Sequence, residues 1–307
     1  MQPTASQLVQ LMIGDTVPRP VVRGDGRVGP AVPLGRRVEL AGRGTTFIRE
    51  VPGPKDAPTL LLLHGYMASA GLNWFRTFDA LGQDFRVIAP DARGHARGLR
   101  SRRHMRLADC ADDMAALIDE LDTGPVIAVG YSMGGPIAQL LWKRHPEKVA
   151  GLVLCATAPE LGFGVRALND AYLATVAGLA RSAGQLAAVP AAGANVLRRV
   201  RAHRPANFLE WAADEMRRHD VRMLTEAARS LSRFDSRPWI HDIDVPTTVF
   251  RTNRDRLVDP AGQTELAAAI SGAKVVDHDH GHFACAKSTF TEPLVGACRD
   301  VAWRASA

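Results

Sequence analysis

The chain of 307 residues is 46% hydrophobic and 23% charged, with a net charge of +6. That balance belongs to a soluble globular protein with room for one large α/β domain and an insertion, or for two small domains. It leaves no apolar run near the roughly 18 residues of a membrane helix. The four cysteines, Cys110, Cys155, Cys285 and Cys298, form no C-x-x-C pair, so they predict buried thiols in a reducing compartment and neither a disulfide frame nor a zinc site. The basic residues are dispersed, with short clusters only at 97–106 and 198–204 and no aromatic residues interleaved, which predicts no nucleic-acid partner. The stretch from Met1 to Ile13 has no basic n-region and a short apolar run, so a cytoplasmic location is expected.

In chain order, residues 1–36 are rich in Pro, Gly and polar residues without a period and predict an irregular arm. Arg37 to Leu40 and Thr45 to Val51 read as an antiparallel pair around Gly42-Arg43-Gly44. Thr59 to His64 is a continuous apolar strand, Leu72 to Leu81 a helix, and Phe85 to Ala89 the next strand, ending at Pro90-Asp91. From Leu107 to Leu121, Ala111, Met114, Leu117, Ile118 and Leu121 share one helical face. Val126 to Val129 and Val149 to Ala156 are buried strands enclosing a helix over 135–145. Residues 161–236 hold no strand pattern, only Ala-, Leu- and Arg-rich helical segments broken at Gly184, Pro190, Gly193 and Pro205, and predict a helical cap. Strands return at Thr247 to Arg251 and Lys274 to Val276. An alternating βαβ series with one helical insertion predicts an α/β fold: a mostly parallel sheet, helices on both faces, and a core of 37–160 with 237–307.

The most informative motif is Gly130-Tyr131-Ser132-Met133-Gly134, placed between a strand and a helix. A serine on such a turn projects its hydroxyl out of the sheet, while the flanking glycines leave strand and helix free to approach. The N–H of Met133 then faces a developing oxyanion at the helix N-terminus. Polar residues also follow the other strands: His64-Gly65-Tyr66, Asp91-Ala92-Arg93-Gly94-His95, Asn253-Arg254-Asp255 and His280-Gly281-His282. Chemistry in such sheets collects at the carboxyl ends of strands.

Together these motifs resemble the α/β-hydrolase fold, over about Arg37 to the carboxyl terminus apart from the insertion. The resemblance implies an eight-stranded-type sheet, Ser132 as nucleophile, His282 as general base and Asp255 as the acid that orients the histidine. It also implies an oxyanion hole from the N–H groups of Tyr66 and Met133, with Asp91, Arg93 and Gly94 as a structural turn. No metal or organic cofactor is required.

Competing readings stand beside each assignment. His64 reads as structural, hydrogen-bonding the oxyanion loop, and His95 as a solvated turn residue. Asp259 before Pro260 reads as a helix N-cap, and Glu160 as an alternative acid after the Cys155 strand. His278, His280 and His282 alternate as metal ligands do on a strand, yet one of them is already claimed by the serine. The expected activity is hydrolysis of a small-molecule carboxylic ester, thioester or lactone through an acyl-enzyme. A non-hydrolytic enzyme on the same fold, such as an acyltransferase, haloperoxidase-like protein or lyase, and a ligand-binding receptor remain alternatives. Serine at the elbow disfavours dehalogenase and epoxide-hydrolase chemistry. The oligomeric state is not readable from the sequence.

Overall fold

A computed structural model describes residues 21–22, 28–161 and 208–307. The sheet expected from the alternating pattern is present. Its strands are β3 (Gly35–Leu40), β4 (Gly44–Val51), β5 (Thr59–Leu63), β6 (Arg86–Pro90), β7 (Val126–Tyr131), β8 (Val149–Cys155), β9 (Thr247–Thr252) and β10 (Lys274–His278). These eight strands lie in the order β10-β9-β8-β7-β5-β6-β4-β3. Only the β3–β4 and β4–β6 pairings are antiparallel, and the five others are parallel. A separate two-residue pair, β1 (Val21–Val22) with β2 (Val28–Gly29), stands before it.

β5 explains how one sequence serves two faces. Successive side chains on a strand point to opposite sides. Leu61 and Leu63 pack with α3 (Leu107–Glu120) and α4 (Gly134–Arg144), against residues such as Leu117, Ile118 and Leu141. Leu60 and Leu62 pack on the other face with α1 (Ala70–Trp74), α2 (Phe78–Leu81) and the carboxyl-terminal helix, against Trp74, Phe78 and Leu294. A strand buried on both faces has to be apolar throughout, as Thr59–Leu63 nearly is.

One expected helix is divided. The span 72–81 is not continuous: α1 starts after Ser69, whose hydroxyl caps the Leu72 N–H at 3.1 Å, and ends at Trp74. The Thr77 N–H and its hydroxyl both donate to the Trp74 carbonyl, at 2.9 and 3.0 Å, so the turn tightens there before α2 begins.

Much of the expected cap, 162–207, lies outside the described residues, and with it Leu168, Tyr172, Leu173, Val176, Leu179 and Leu197. Two helices that follow are described, α5 (Phe208–Arg217) and α6 (Val221–Leu231). Phe208 and Trp211 join the α1 face of the core, and Met223 and Leu224 the α3 face. Pro159 accepts the Ser236 N–H at 2.9 Å and Glu160 bridges Asp235, so 159–160 and 235–236 meet at the edge of the core. The fold closes with α7 (Pro260–Ala269) and α8 (Thr291–Ser306).

Candidate active site

Ser132 stands where β7 gives way to α4, with φ of +52°. A non-glycine residue in the left-handed region costs on the order of 1 kcal/mol. The turn is held there by two backbone bonds: the Ser132 N–H donates to Cys155 O, and Gly135 N–H to Ser132 O, each at 2.9 Å. The motif glycines leave no alternative. A Cβ on Gly130 would fall 2.3 Å from the Gly134 carbonyl oxygen, and one on Gly134 would fall 2.1 Å from that of Leu63. Strand and helix therefore meet only because both positions lack a side chain.

His282 reaches Ser132 from the loop after β10. Its Nε2 lies 2.9 Å from Ser132 Oγ, and its Nδ1 lies 2.8 Å from Asp255 Oδ2. Asp255 sits just past β9 in a cradle of donors: the Leu257 and Val258 N–H groups reach Oδ1 at 2.9 Å, and the Thr252 hydroxyl reaches Oδ2 at 2.8 Å. Burial raises the pKa of this carboxyl, but the hydrogen bond and electrostatic attraction of His282 and the two N–H groups outweigh it and hold the group below its ordinary value. The anion is thereby kept beside Nδ1. All three side chains are buried. One hydrogen-bonded line thus runs Ser132–His282–Asp255, bringing together the three side chains that the sequence singles out.

Two side chains that sequence reasoning passed over complete this half. The Tyr131 hydroxyl donates to the His282 carbonyl at 2.6 Å and packs edge-on to its ring, which ties the elbow to the histidine loop. Gln263 holds the Thr252 N–H at 2.9 Å and so steadies the end of β9. The competing acids lie elsewhere. Asp259 caps α7 through the Ala261 N–H at 2.9 Å, and Glu160 is exposed and pairs with Arg237 at 2.9 Å. His278 turns to the Thr289 carbonyl at 3.2 Å, and its ring centroid is 4.8 Å from that of His280, while His282 is engaged with Ser132 and Asp255. Among the described residues, no group of three or more His, Cys, Asp or Glu side chains is gathered as ligands for a metal. The four cysteines are free thiols in the core.

The other half is the loop His64–Ser69 after β5. His64 is buried, and burial holds its pKa down to about 4. Its Nε2 accepts the Ala92 N–H at 2.9 Å, so its Nδ1 carries the proton donated to the Gly65 carbonyl at 2.8 Å. The Ala68 N–H reaches the same carbonyl at 3.2 Å, and the Gly65 N–H is held by Asn73 Oδ1 at 3.0 Å. In a trans peptide the N–H points opposite the carbonyl, so the Tyr66 N–H is turned away from His64. The loop runs close by the elbow: a Cβ on Gly65 would sit 3.4 Å from Ser132 Cβ. Met133, the other predicted donor, precedes the first turn of α4 with helical dihedrals.

His95 departs from its expected solvated position. It is fully buried, edge-on to His64, Tyr66 and His219 with centroid separations of 5.2, 5.9 and 5.5 Å. The cause is α6, which lies on the turn so closely that Met223 Cβ would be 2.6 Å from a Cβ on Gly94. The turn itself is structural as expected. Arg93 grips Asp113 in two bonds of 2.6 and 2.7 Å, and Asp91 accepts the Ala70 and Arg97 N–H groups.

The chain belongs to the alpha/beta hydrolase fold family, whose model matches residues 58–288. A Serratia proteamaculans (strain 568) protein provisionally named carbamate hydrolase RutD is 30% identical over 235 residues, 73% of this chain and 84% of that protein. The dihydrolipoyllysine-residue acetyltransferase component of an acetoin cleaving system from Pseudomonas putida is 33% identical over 141 residues. That match takes in 46% of this chain but only 36% of the acetyltransferase component, so the chain spans about a third of that relative. An esterase from Exiguobacterium antarcticum superposes with a TM-score of 0.69 at 19% identity, over 87% of this chain and 100% of the other, which shows the common fold. Among the described residues, no helix is long and apolar enough to cross a membrane.

Proposed function

We propose that this protein is a serine hydrolase that cleaves a small carboxylic ester, thioester or lactone through an acyl-enzyme. The observation that carries the reading is the line of hydrogen bonds from Ser132 Oγ through His282 to Asp255, with the serine in the left-handed region on a strand-to-helix turn. In this reading Ser132 Oγ attacks the acyl carbonyl as His282 Nε2 takes its proton. The tetrahedral oxyanion accepts hydrogen bonds from the Tyr66 and Met133 N–H groups. Each such donor lowers the barrier by roughly 3 kcal/mol. Collapse breaks the bond to the leaving group, which receives the proton from His282. Water then adds to the acyl-enzyme with His282 again as base, and the acid product departs. Asp255, kept anionic, fixes the tautomer of the histidine and stabilises its charged form.

The test is a series of p-nitrophenyl esters of increasing acyl length, read by rapid mixing. A burst of nitrophenolate equal to the protein concentration, lost in Ser132→Ala, is expected. A wild type that turns over without any Ser132-dependent step contradicts the reading. Acyl transfer is the second reading, favoured by the acetyltransferase name of the Pseudomonas putida relative. Adding an alcohol or thiol acceptor separates the two: a hydrolase releases acid throughout, whereas a transferase diverts most of the acyl group at millimolar acceptor.

A further inference from the structure

We propose that His219 is a positioning residue for the Tyr66 N–H: by holding the Met67 carbonyl, it sets the loop that carries this oxyanion donor. The inference rests on the reading of the site given above. His219 lies in the short link between α5 and α6, some 150 residues along the chain from the loop it touches. Its Nδ1 accepts the Ala96 N–H at 2.8 Å, so Nε2 carries the ring proton and donates it to Met67 O at 3.1 Å. The imidazole is itself fixed. Its backbone N–H is bonded to Met216 O at 3.3 Å, and the next residue, Asp220, donates its N–H to Gly94 O at 2.9 Å.

Met67 is where such a hold matters. Its φ is +60°, a left-handed conformation that a residue with a side chain adopts only under constraint. If the Met67 carbonyl were released, that residue could return to negative φ, and the dihedral change would swing the peptide between Tyr66 and Met67 and so pull on the Tyr66 Cα to which the donor N–H is attached. Tyr66 is therefore clamped from both sides, by His64 on the Gly65 carbonyl and by His219 on the Met67 carbonyl. Its own hydroxyl is bonded to Leu224 O of α6 at 3.1 Å. Three residues on, Ser69 donates to Glu215 of α5 at 3.0 Å, and Arg97 grips the same carboxylate at 2.9 and 2.5 Å. These six contacts from 215–224 thus brace the loops after β5 and β6. Of these, only the His219–Met67 bond acts on the backbone of the residue that follows Tyr66.

The amide side chains of Asn and Gln divide the two roles of the ring. Gln places an N–H near the position of Nε2 and keeps the donor to Met67. Asn places its oxygen near Nδ1 and keeps the acceptor for Ala96 but cannot reach Met67. The experiment measures the burst rate and steady-state KM with p-nitrophenyl butyrate, together with thermal midpoints, for wild type, His219→Asn and His219→Gln. The expected result is a fall of about tenfold or more in the acylation rate for Asn, with KM within about twofold, and recovery to within about threefold of wild type for Gln. A purely structural role would lower both midpoints and leave the acylation rate of the folded protein alike in the two variants, and that result overturns the inference. A wild type that turns over without any Ser132-dependent step overturns the underlying reading as well. A normal wild-type burst with equal Asn and Gln rates overturns the inference alone.

Discussion

The two halves of the candidate site are built in different ways. The half with Ser132, His282 and Asp255 draws its supports from β8, β9, the loop after β9 and the first turn of α7: Cys155 O, Thr252, the Leu257 and Val258 N–H groups, and Gln263. The half with Tyr66 is braced by residues 215–224, within the later part of the expected cap: Glu215, His219 and Leu224. On the proposed mechanism, the contrast teaches that proton transfer is organised by the sheet, while oxyanion binding depends on how α5 and α6 seat on the core. Displacement of those helices should weaken transition-state stabilisation and leave the serine–histidine pair intact.

Substitutions sharpen this division, and the largest effects belong to the sheet-borne half. Ser132→Ala is expected to lower kcat by about 10⁶-fold, because the groups of such a line act as a unit; steady-state ester hydrolysis checks it. Asp255→Asn should lower kcat by about 10⁴-fold with little change in KM, since an amide at that position presents a donor to Nδ1 and favours the wrong tautomer. If the asparagine variant retained wild-type kcat, the sheet-borne half would not be catalytic.

Tyr66→Phe probes the braced half. It removes the hydroxyl bond to Leu224 O and leaves the backbone donor in place. A stability loss of about 1 kcal/mol by urea unfolding is expected, with a fall of only a few-fold in kcat. A loss comparable to that of Asp255→Asn would mean that the hydroxyl takes a direct part in the reaction.

The effect that leaves turnover at neutral pH untouched is a pH dependence of stability. Burial keeps His64 and His219 down to about 4, and His95, also buried, well below its ordinary value. The unfolded imidazoles protonate near pH 6.5 and the folded ones resist, so the unfolded state binds more protons between about 6.5 and 4 and stability falls as pH drops through that window. Asp91 works the other way. Burial first, and then the charge of Glu215, raise it to about 6, so its contribution is present at low pH and is lost as pH rises through that value. Three imidazoles against one carboxyl predict a thermal midpoint several degrees lower at pH 4.5 than at pH 7. An unchanged or higher midpoint at pH 4.5 would show that these rings are not held neutral.

The same division separates what the sequence discloses from what it hides. The elbow is legible because its determinants are neighbours in the chain: an apolar strand, glycines on either side of Ser132, and a helix. Asp255 and His282 are legible because each follows a strand in the expected order. The bracing residues are not. His219 and Glu215 meet the loop across about 150 positions, at the end of a helix whose own pattern is amphipathic and unremarked. His95 reads as solvated because its turn is polar; His64 and Tyr66 from the loop after β5, and His219 from far along the chain, pack on its ring and bury it. The break in the helix at 75–77 turns on a threonine bonding back to Trp74, a choice that apolar spacing does not encode.

The most direct test of the account is to label the wild type, Ser132→Ala and His282→Ala with a fluorophosphonate and map the adduct by mass spectrometry. The account predicts one adduct, on Ser132, absent from the alanine variant at that position and strongly slowed in His282→Ala. A folded wild type that takes no label, or takes it at another residue, would contradict it.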